Sequence, residues 1–272
     1  RRQRQMCIRD RLNVLELKNQ YSLKERKMIK ILLTISLLLS SFIAAQENKY
    51  EPVANKAEYY ALKYLPGKDY SDLKDWVLEN QKKVLSKTDV YDNFEVVLFS
   101  PQFGSDLTAH DAVFLGLWPS ATEMYKGMGY WIKNGGSQAA KIPVATVQAV
   151  DTWQWAISAP EGDRDIGAVR FADCKMKEGV NSNQVFDAYK DFAIAAKKTG
   201  DNLGRKMIFP GPGATEGDYD YVYSLYARTV EELGSGADNY WQNINGSKED
   251  QALNDLIESC SNYRIYITEQ IF

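Results

Sequence analysis

The feature that most constrains this chain is that it repeats itself. Asp111, Val113, Glu123 and Gly127 recur 109 residues later as Asp220, Val222, Glu232 and Gly236. Around them, the run from Asp111 through Phe114-Leu115-Gly116-Leu117-Trp118-Pro119-Ser120 has the layout of Asp220 to Thr229. Self-similarity at this distance means that one half folds as the other does, and that each must find cover for its apolar face.

Each copy reads as the same six elements. In the first, about residues 55–158, Ala57 to Tyr64 is a strand rich in residues that suit a pleated surface, ended by Pro66-Gly67. Ser71 to Lys87 is a helix by its apolar spacing, and Phe94–Phe99 and Asp111–Trp118 are strands. Ser120 and Glu123 open a second helix as a capping box, and Ala145–Ile157 is a long strand. In the second, about residues 165–272, strands fall near 167–177, 205–209, 219–227 and 262–269. Helices fall near 183–198 and 229–244, with an extra piece near 248–258 and Thr229/Glu232 repeating the cap. Strand, helix, strand, strand, helix, strand is the split βαβ layout of a ferredoxin-like unit. The expected fold class is therefore α+β: two tandem ferredoxin-like βαββαβ repeats packed sheet to sheet.

Ahead of the repeats, Lys27 and Lys30 precede an apolar run from Ile31 and then Ala44-Ala45. A positive start, about 15 apolar residues and a small-residue end make a signal peptide over 28–45, too short for a spanning helix. Residues 1–27 are an upstream segment outside the folded protein. The location expected is periplasmic or secreted, with no membrane span after cleavage. From Gln46 onward the chain holds 23 basic and 33 acidic residues, a net charge of −10. So acidic a body excludes a nucleic-acid partner, whose binding rests on cationic contacts.

Setting aside Cys7, a secreted chain is left with Cys174 and Cys260. In a ferredoxin-like sheet the first strand lies beside the fourth, which brings these two together as a disulfide. Two cysteines and one histidine leave no metal site to expect. The sole histidine, His110, and the doubled acids Asp111 and Asp220 are the candidate bases, although a strand-start carboxylate equally serves backbone N–H groups. Asp151, Trp153 and Trp155 share one face of the long strand; with Tyr60 they are the candidate ligand-binding set. The competing reading has the tryptophans filling the contact between repeats. No nucleophile elbow, zinc helix, dinucleotide fingerprint or phosphate loop is present.

The duplicated unit, with Phe114-Leu115-Gly116-Leu117-Trp118-Pro119-Ser120 before a capped helix, resembles the dimeric α+β barrel superfamily, and more closely its secreted tandem members, over about residues 55–272. That resemblance implies two ferredoxin-like units packed sheet to sheet. Members include cofactor-free monooxygenases, lactone isomerases and haem-binding chlorite dismutase-like proteins. The haem branch needs an axial histidine, and His110 has no matching motif around it, so no cofactor, haem included, is expected. The leading expectation is a secreted protein that binds an apolar or aromatic small molecule. The alternative is a cofactor-independent monooxygenase or isomerase with Asp111, Asp220 or His110 as base; the second alternative is a structural or interaction module. The oligomeric expectation is a monomer, or a homodimer formed through exposed strand edges. A cavity holding tryptophans and a carboxyl of raised pKa would favour chemistry.

Overall fold

The computed structural model describes residues 48–272; the leader, the upstream segment and Cys7 lie outside them. The first half comprises β1 (Ala54–Tyr64), α1 (Tyr70–Lys83), β2 (Glu95–Phe103), β3 (Ala112–Trp118), α2 (Ala121–Asn134), the single turn α3 (Gly136–Ala139) and β4 (Val144–Ser158). The second comprises β5 (Gly167–Met176), α4 (Ser182–Lys198), β6 (Gly204–Pro210), β7 (Tyr221–Ala227), α5 (Val230–Asn239), α6 (Lys248–Asn254) and β8 (Ile257–Gln270). Local chemistry sets the helix starts. Asp69 and Asn181 close capping boxes on α1 and α4, while Ser120 and Thr229 accept from the backbone N–H groups of Glu123 and Glu232.

Within each half the strand order is the ferredoxin-like one, β4-β1-β3-β2 and β8-β5-β7-β6. The halves then join at two seams, β2 with β8 and β4 with β6, and all eight strands close into an antiparallel barrel. Sheet meets sheet, as expected, but the sheets also share their edges. The edge-to-edge dimer anticipated from exposed strands therefore has no free edge to use among the described residues. No helix among them is long and apolar enough to cross a membrane.

Alternation along each strand sorts side chains into two environments. Ala57, Phe99, Val113, Leu115, Phe171 and Ile208 face the lumen and pack on one another. The outer face carries a separate core under each half's helices. One holds Leu73, Val77, Val96, Leu98 and Trp118; the other holds Val185, Phe186, Phe192, Met207 and Tyr221.

Three of the boundaries that differ from the sequence reading bear on the core, a seam and the disulfide. The helix from Ser71 stops at Lys83, and two single 3-10 turns, Leu85–Lys87 and Asp89–Tyr91, carry the chain onward; they place Leu85 in the core, and Thr88 caps the second. β2 runs through Pro101 to Phe103, with its register shifting between Pro101 and Phe103 at the seam with β8. β8 starts at Ile257, so Cys260 lies inside it rather than before it. It sits directly opposite Cys174 with the Cα atoms 4.1 Å apart, and the two form the disulfide.

Candidate functional site

β1 presents Ala57 and Tyr59 to the lumen and Lys56, Glu58, Tyr60 and Leu62 to the helix-covered side. A glutamate in that position has to be held by something. Both carboxylate oxygens accept a hydrogen bond: Tyr60 Oη donates to Oε2 at 2.9 Å, and Trp118 Nε1 donates to Oε1 at 3.1 Å. Neither donor is a cation, and no lysine or arginine pairs with Glu58 among the described residues. Burial pushes the Glu58 carboxyl above the ordinary glutamate range; its two donors pull it back, and the charge of Asp151 adds to the rise.

Glu58 opens onto a cavity of about 220 Å³ between the sheet and the helices of the first half. Its walls are aromatic. Phe94 lies tilted on Trp118 with ring centroids 4.2 Å apart, and Trp76 meets Trp131 edge-on at 6.3 Å. Tyr91, Phe114 and Phe272 complete the lining. Two glycines make this packing possible. A Cβ on Gly116 would lie 2.8 Å from the Phe94 ring and 2.9 Å from Glu58 Oε1, and a Cβ on Gly127 would overlap the Trp118 indole. The cavity wall also holds Asn80, whose Oδ1 is buried without a hydrogen-bond partner. An unmatched acceptor facing such a space is a place for a ligand's N–H or O–H.

The second half has no counterpart. The pairing Glu58 with Gly116 corresponds to Arg170 with Leu225, and Ala227 stands where Trp118 does. Leu203, Leu225 and Ala227 pack together there. The two halves thus share a strand order but differ at this position.

The structure places the sequence candidates as follows. Asp111 accepts from the backbone N–H of Tyr64 at 2.9 Å and pairs with Lys63 at 3.0 Å. Asp220 accepts from the backbone N–H of Met176 in the same way, at 2.7 Å. Both secure the start of a strand, and the Tyr64 N–H holds the Asp111 carboxyl below its usual range, the wrong direction for a base. His110 stands at a mouth of the barrel, stacked on Tyr266, with Nε2 3.3 Å from Tyr266 Oη; burial lowers its pKa. Tyr60 is in the cavity, and Asp151 lies directly across from Glu58. Asp151 pairs with the buried Lys56, whose Nζ is 4.7 Å from the Trp153 ring centroid. Trp153 is 44% exposed and Trp155 packs on Phe186 and Phe209 in the second half's outer core, so neither fills the space between the sheets. Tyr60, Asp151 and Trp153 are therefore gathered around Lys56 and Glu58, while Trp155, opposite Ala54 at the start of β1, packs into the second half's outer core. Glu58 itself was missed. Its signal was the spacing Lys56, Glu58, Tyr60, which sets two charges on a face that the helices must cover.

The architecture is that of a dimeric α+β barrel. No family model matches the chain, and no curated protein matches it. Solved structures do. A mutant chlorite dismutase from Candidatus Nitrospira defluvii aligns at TM-score 0.47 and 9% identity, over 84% of this chain and 95% of that one. A chain from Lactobacillus acidophilus NCFM, described as an inferred monooxygenase, aligns at 0.48 and 8%, over 82% and 95%. A heme-binding protein from Thermus thermophilus aligns at 0.46 and 7%, over 81% and 95%.

These descriptions are of enzymes and a heme-binding protein. They run against the expectation of a plain carrier for an apolar ligand and against the expectation of no cofactor, and both are set aside. Whether haem fits is a question for the residues. Haem needs an axial imidazole, thiolate or phenolate. The outer cavity offers no histidine or cysteine, and its Tyr60 and Tyr91 hydroxyls are engaged by Glu58 and the Gly127 carbonyl. His110, the one imidazole, lies in a mouth lined by Phe99, Val113 and Val222 as well as by Asp106, Asp173, Glu216 and Asp218; its ring is stacked on Tyr266, with Nε2 at the tyrosine hydroxyl. At neither place is the ligand atom free: the Tyr60 and Tyr91 hydroxyls and the His110 Nε2 are each already engaged, so these residues as they stand do not fit haem.

Proposed function

We propose that the chain is an enzyme of the monooxygenase or isomerase type in which Glu58 takes a proton from a small planar substrate held in the outer cavity. The observation that carries this reading is a partly buried carboxyl, hydrogen-bonded but without a cation, opening onto an aromatic-walled space. A carboxylate of raised pKa is a stronger base once ionised, and a poorly solvated one holds its proton near the substrate. Tyr60 and Trp118 fix both oxygens, leaving the remaining lone pairs for the proton. The aromatic faces hold a flat molecule and keep water out, and Asn80 Oδ1 orients it by accepting an N–H or O–H. The proton moves from a carbon or hydroxyl of the substrate to a Glu58 oxygen, and the electron pair left behind spreads into the substrate's π-system. The leader at 28–45 supports action outside the cytoplasm, and so does the disulfide, which persists in oxidising compartments.

Solvent exchange tests this without a known product. The protein is incubated in D₂O with a set of small cyclic ketones, phenols and unsaturated lactones, and deuterium entry is followed by NMR. Exchange in at least one compound is expected, falling by about 100-fold or more in Glu58→Gln, the usual contribution of a general base. Exchange no faster than buffer throughout the set, or equal in the folded variant, would refute the assignment.

A further inference from the structure

The lumen of the barrel contains a second cavity, of about 380 Å³, on the opposite side of the sheet from Glu58. Tyr59, Phe99 and Phe171 form its floor, each edge-on or tilted against the others with centroids 6.1 to 6.4 Å apart. Leu115, Leu117 and Val169 add apolar wall. Into this space β6 projects Lys206. Its ammonium has one hydrogen-bond partner, Gln154 Oε1 at 2.9 Å. Gln154 is fully buried and is itself fixed by donating to Tyr59 Oη at 2.7 Å. No carboxylate lies within ion-pairing distance of Lys206 among the described residues. Two acids line the cavity, Glu95 and Asp165; Glu95 is 3.9 Å from Arg164, and neither pairs with Lys206. The Tyr226 ring centroid is 5.6 Å from Nζ. At the rim, Arg228 has a buried Nε with no partner.

A lysine amine aimed into a cavity with an aromatic floor and a polar rim, held by a neutral amide in place of a carboxylate, is built for something other than an ion pair. We propose that the lumen is a covalent binding site in which Lys206 condenses with a small aldehyde or ketone that has an apolar body and an anionic end. The neutral amine nitrogen bonds to the carbonyl carbon. Its two protons leave with the carbonyl oxygen as water, giving an imine. Leu115, Leu117 and Phe171 take the apolar body, and the unpartnered Arg228 N–H takes the anion. Electrostatics agree with the geometry. Burial brings the Lys206 pKa down to about 8, with Glu95 opposing and Arg164 adding to the drop. At pH 7 that leaves roughly 200-fold more free amine than at an ordinary lysine. This site is independent of Glu58, which stands on the other face of the sheet.

The test is reductive trapping. The folded protein is treated at pH 7 with 4-carboxybenzaldehyde and sodium cyanoborohydride. The reagent delivers hydride to the imine carbon, water supplies the proton to nitrogen, and the secondary amine is located by peptide mapping. The expected result is one adduct at Lys206, formed about tenfold or more faster than at any exposed lysine. It should form several-fold faster than with benzaldehyde, and equally well in Glu58→Gln. Lys206→Arg should abolish that adduct while circular dichroism reports its fold. Labelling of exposed lysines with Lys206 unmodified overturns the proposal. Equal rates with benzaldehyde overturn the role given to Arg228. Mapping the wild-type protein decides the first point even if the variant does not fold.

Discussion

Two glycines in the same helix should respond in opposite directions to the same substitution. Gly127 and Gly129 both lie inside α2, where alanine is favoured over glycine by about 1 kcal/mol. A Cβ on Gly129 meets nothing within 4 Å, so Gly129→Ala should stabilise by about that amount. A Cβ on Gly127 overlaps the Trp118 ring, and Trp118 cannot retreat easily, since Phe94 covers it and its Nε1 is tied to Glu58. Overpacking of this kind costs about 1–3 kcal/mol. The backbone gain cancels between the two variants, so the gap between them isolates that cost, and Gly127→Ala should fall about 1–3 kcal/mol below Gly129→Ala. Urea unfolding followed by circular dichroism measures both midpoints, with the slope unchanged if only packing is altered. Gly127→Ala should also lose any Glu58-dependent exchange, because displacing the indole releases one carboxylate oxygen. If the two variants prove equally stable, Trp118 does not lie against this helix, and the cavity described above is not there.

Glu58 makes a second test through pH. Its carboxyl is raised in the folded state, so the folded protein holds that proton more tightly than the unfolded chain. The stability this provides is complete below the ordinary value near 4.5 and is lost as pH rises through the folded value. Wild type should therefore lose stability relative to Glu58→Gln across that window, and parallel profiles would contradict a partly buried acid. The Cys174–Cys260 bridge spans a sequence separation of 86, worth about 4.5 kcal/mol in the chain-entropy model; reducing it should lower the urea midpoint accordingly, and an unmoved midpoint would rule this out. Asp201 and Arg205 pair at 2.8 Å with both side chains buried. Asp201→Ala strands the guanidinium and should destabilise by about 3–5 kcal/mol, read in the same titration.

The scaffold was legible because its signals are local or doubled. Asp111 and Asp220 gave the offset, Ser120/Glu123 and Thr229/Glu232 gave the second helix of each half, and the ferredoxin-like layout, by setting the first strand beside the last, gave the pairing of Cys174 with Cys260. The chemistry was less legible because it lives in the differences between copies. Matching the halves draws the eye to Asp111 and Asp220, and residues held in common by two copies tend to serve the fold. Glu58 is matched by Arg170 and Gly116 by Leu225. Those mismatches open the cavity, yet in a single strand a glutamate reads as a solvated residue. Alternation puts Asp151, Trp153 and Trp155 on one face of β4, but which side that face looks toward depends on barrel closure, a long-range property that alternation does not carry. Trp153 and Trp155 therefore turned outward where the space between the sheets had been expected. Lys206 escaped for the same reason, since a lysine in a strand declares itself only when the strand's inward side encloses a cavity.

Closure at two seams also bears on how the chain holds together once cut. The first half ends in the borders β2 and β4, the second in β8 and β6, so an isolated half would leave two borders and an entire greasy floor open to water. Nicking between Ser158 and Gly167 should accordingly yield pieces that stay associated, and co-expressed fragments should find each other by zipping both borders at once. The barrel's wholeness would then be a matter of shape rather than of an unbroken backbone.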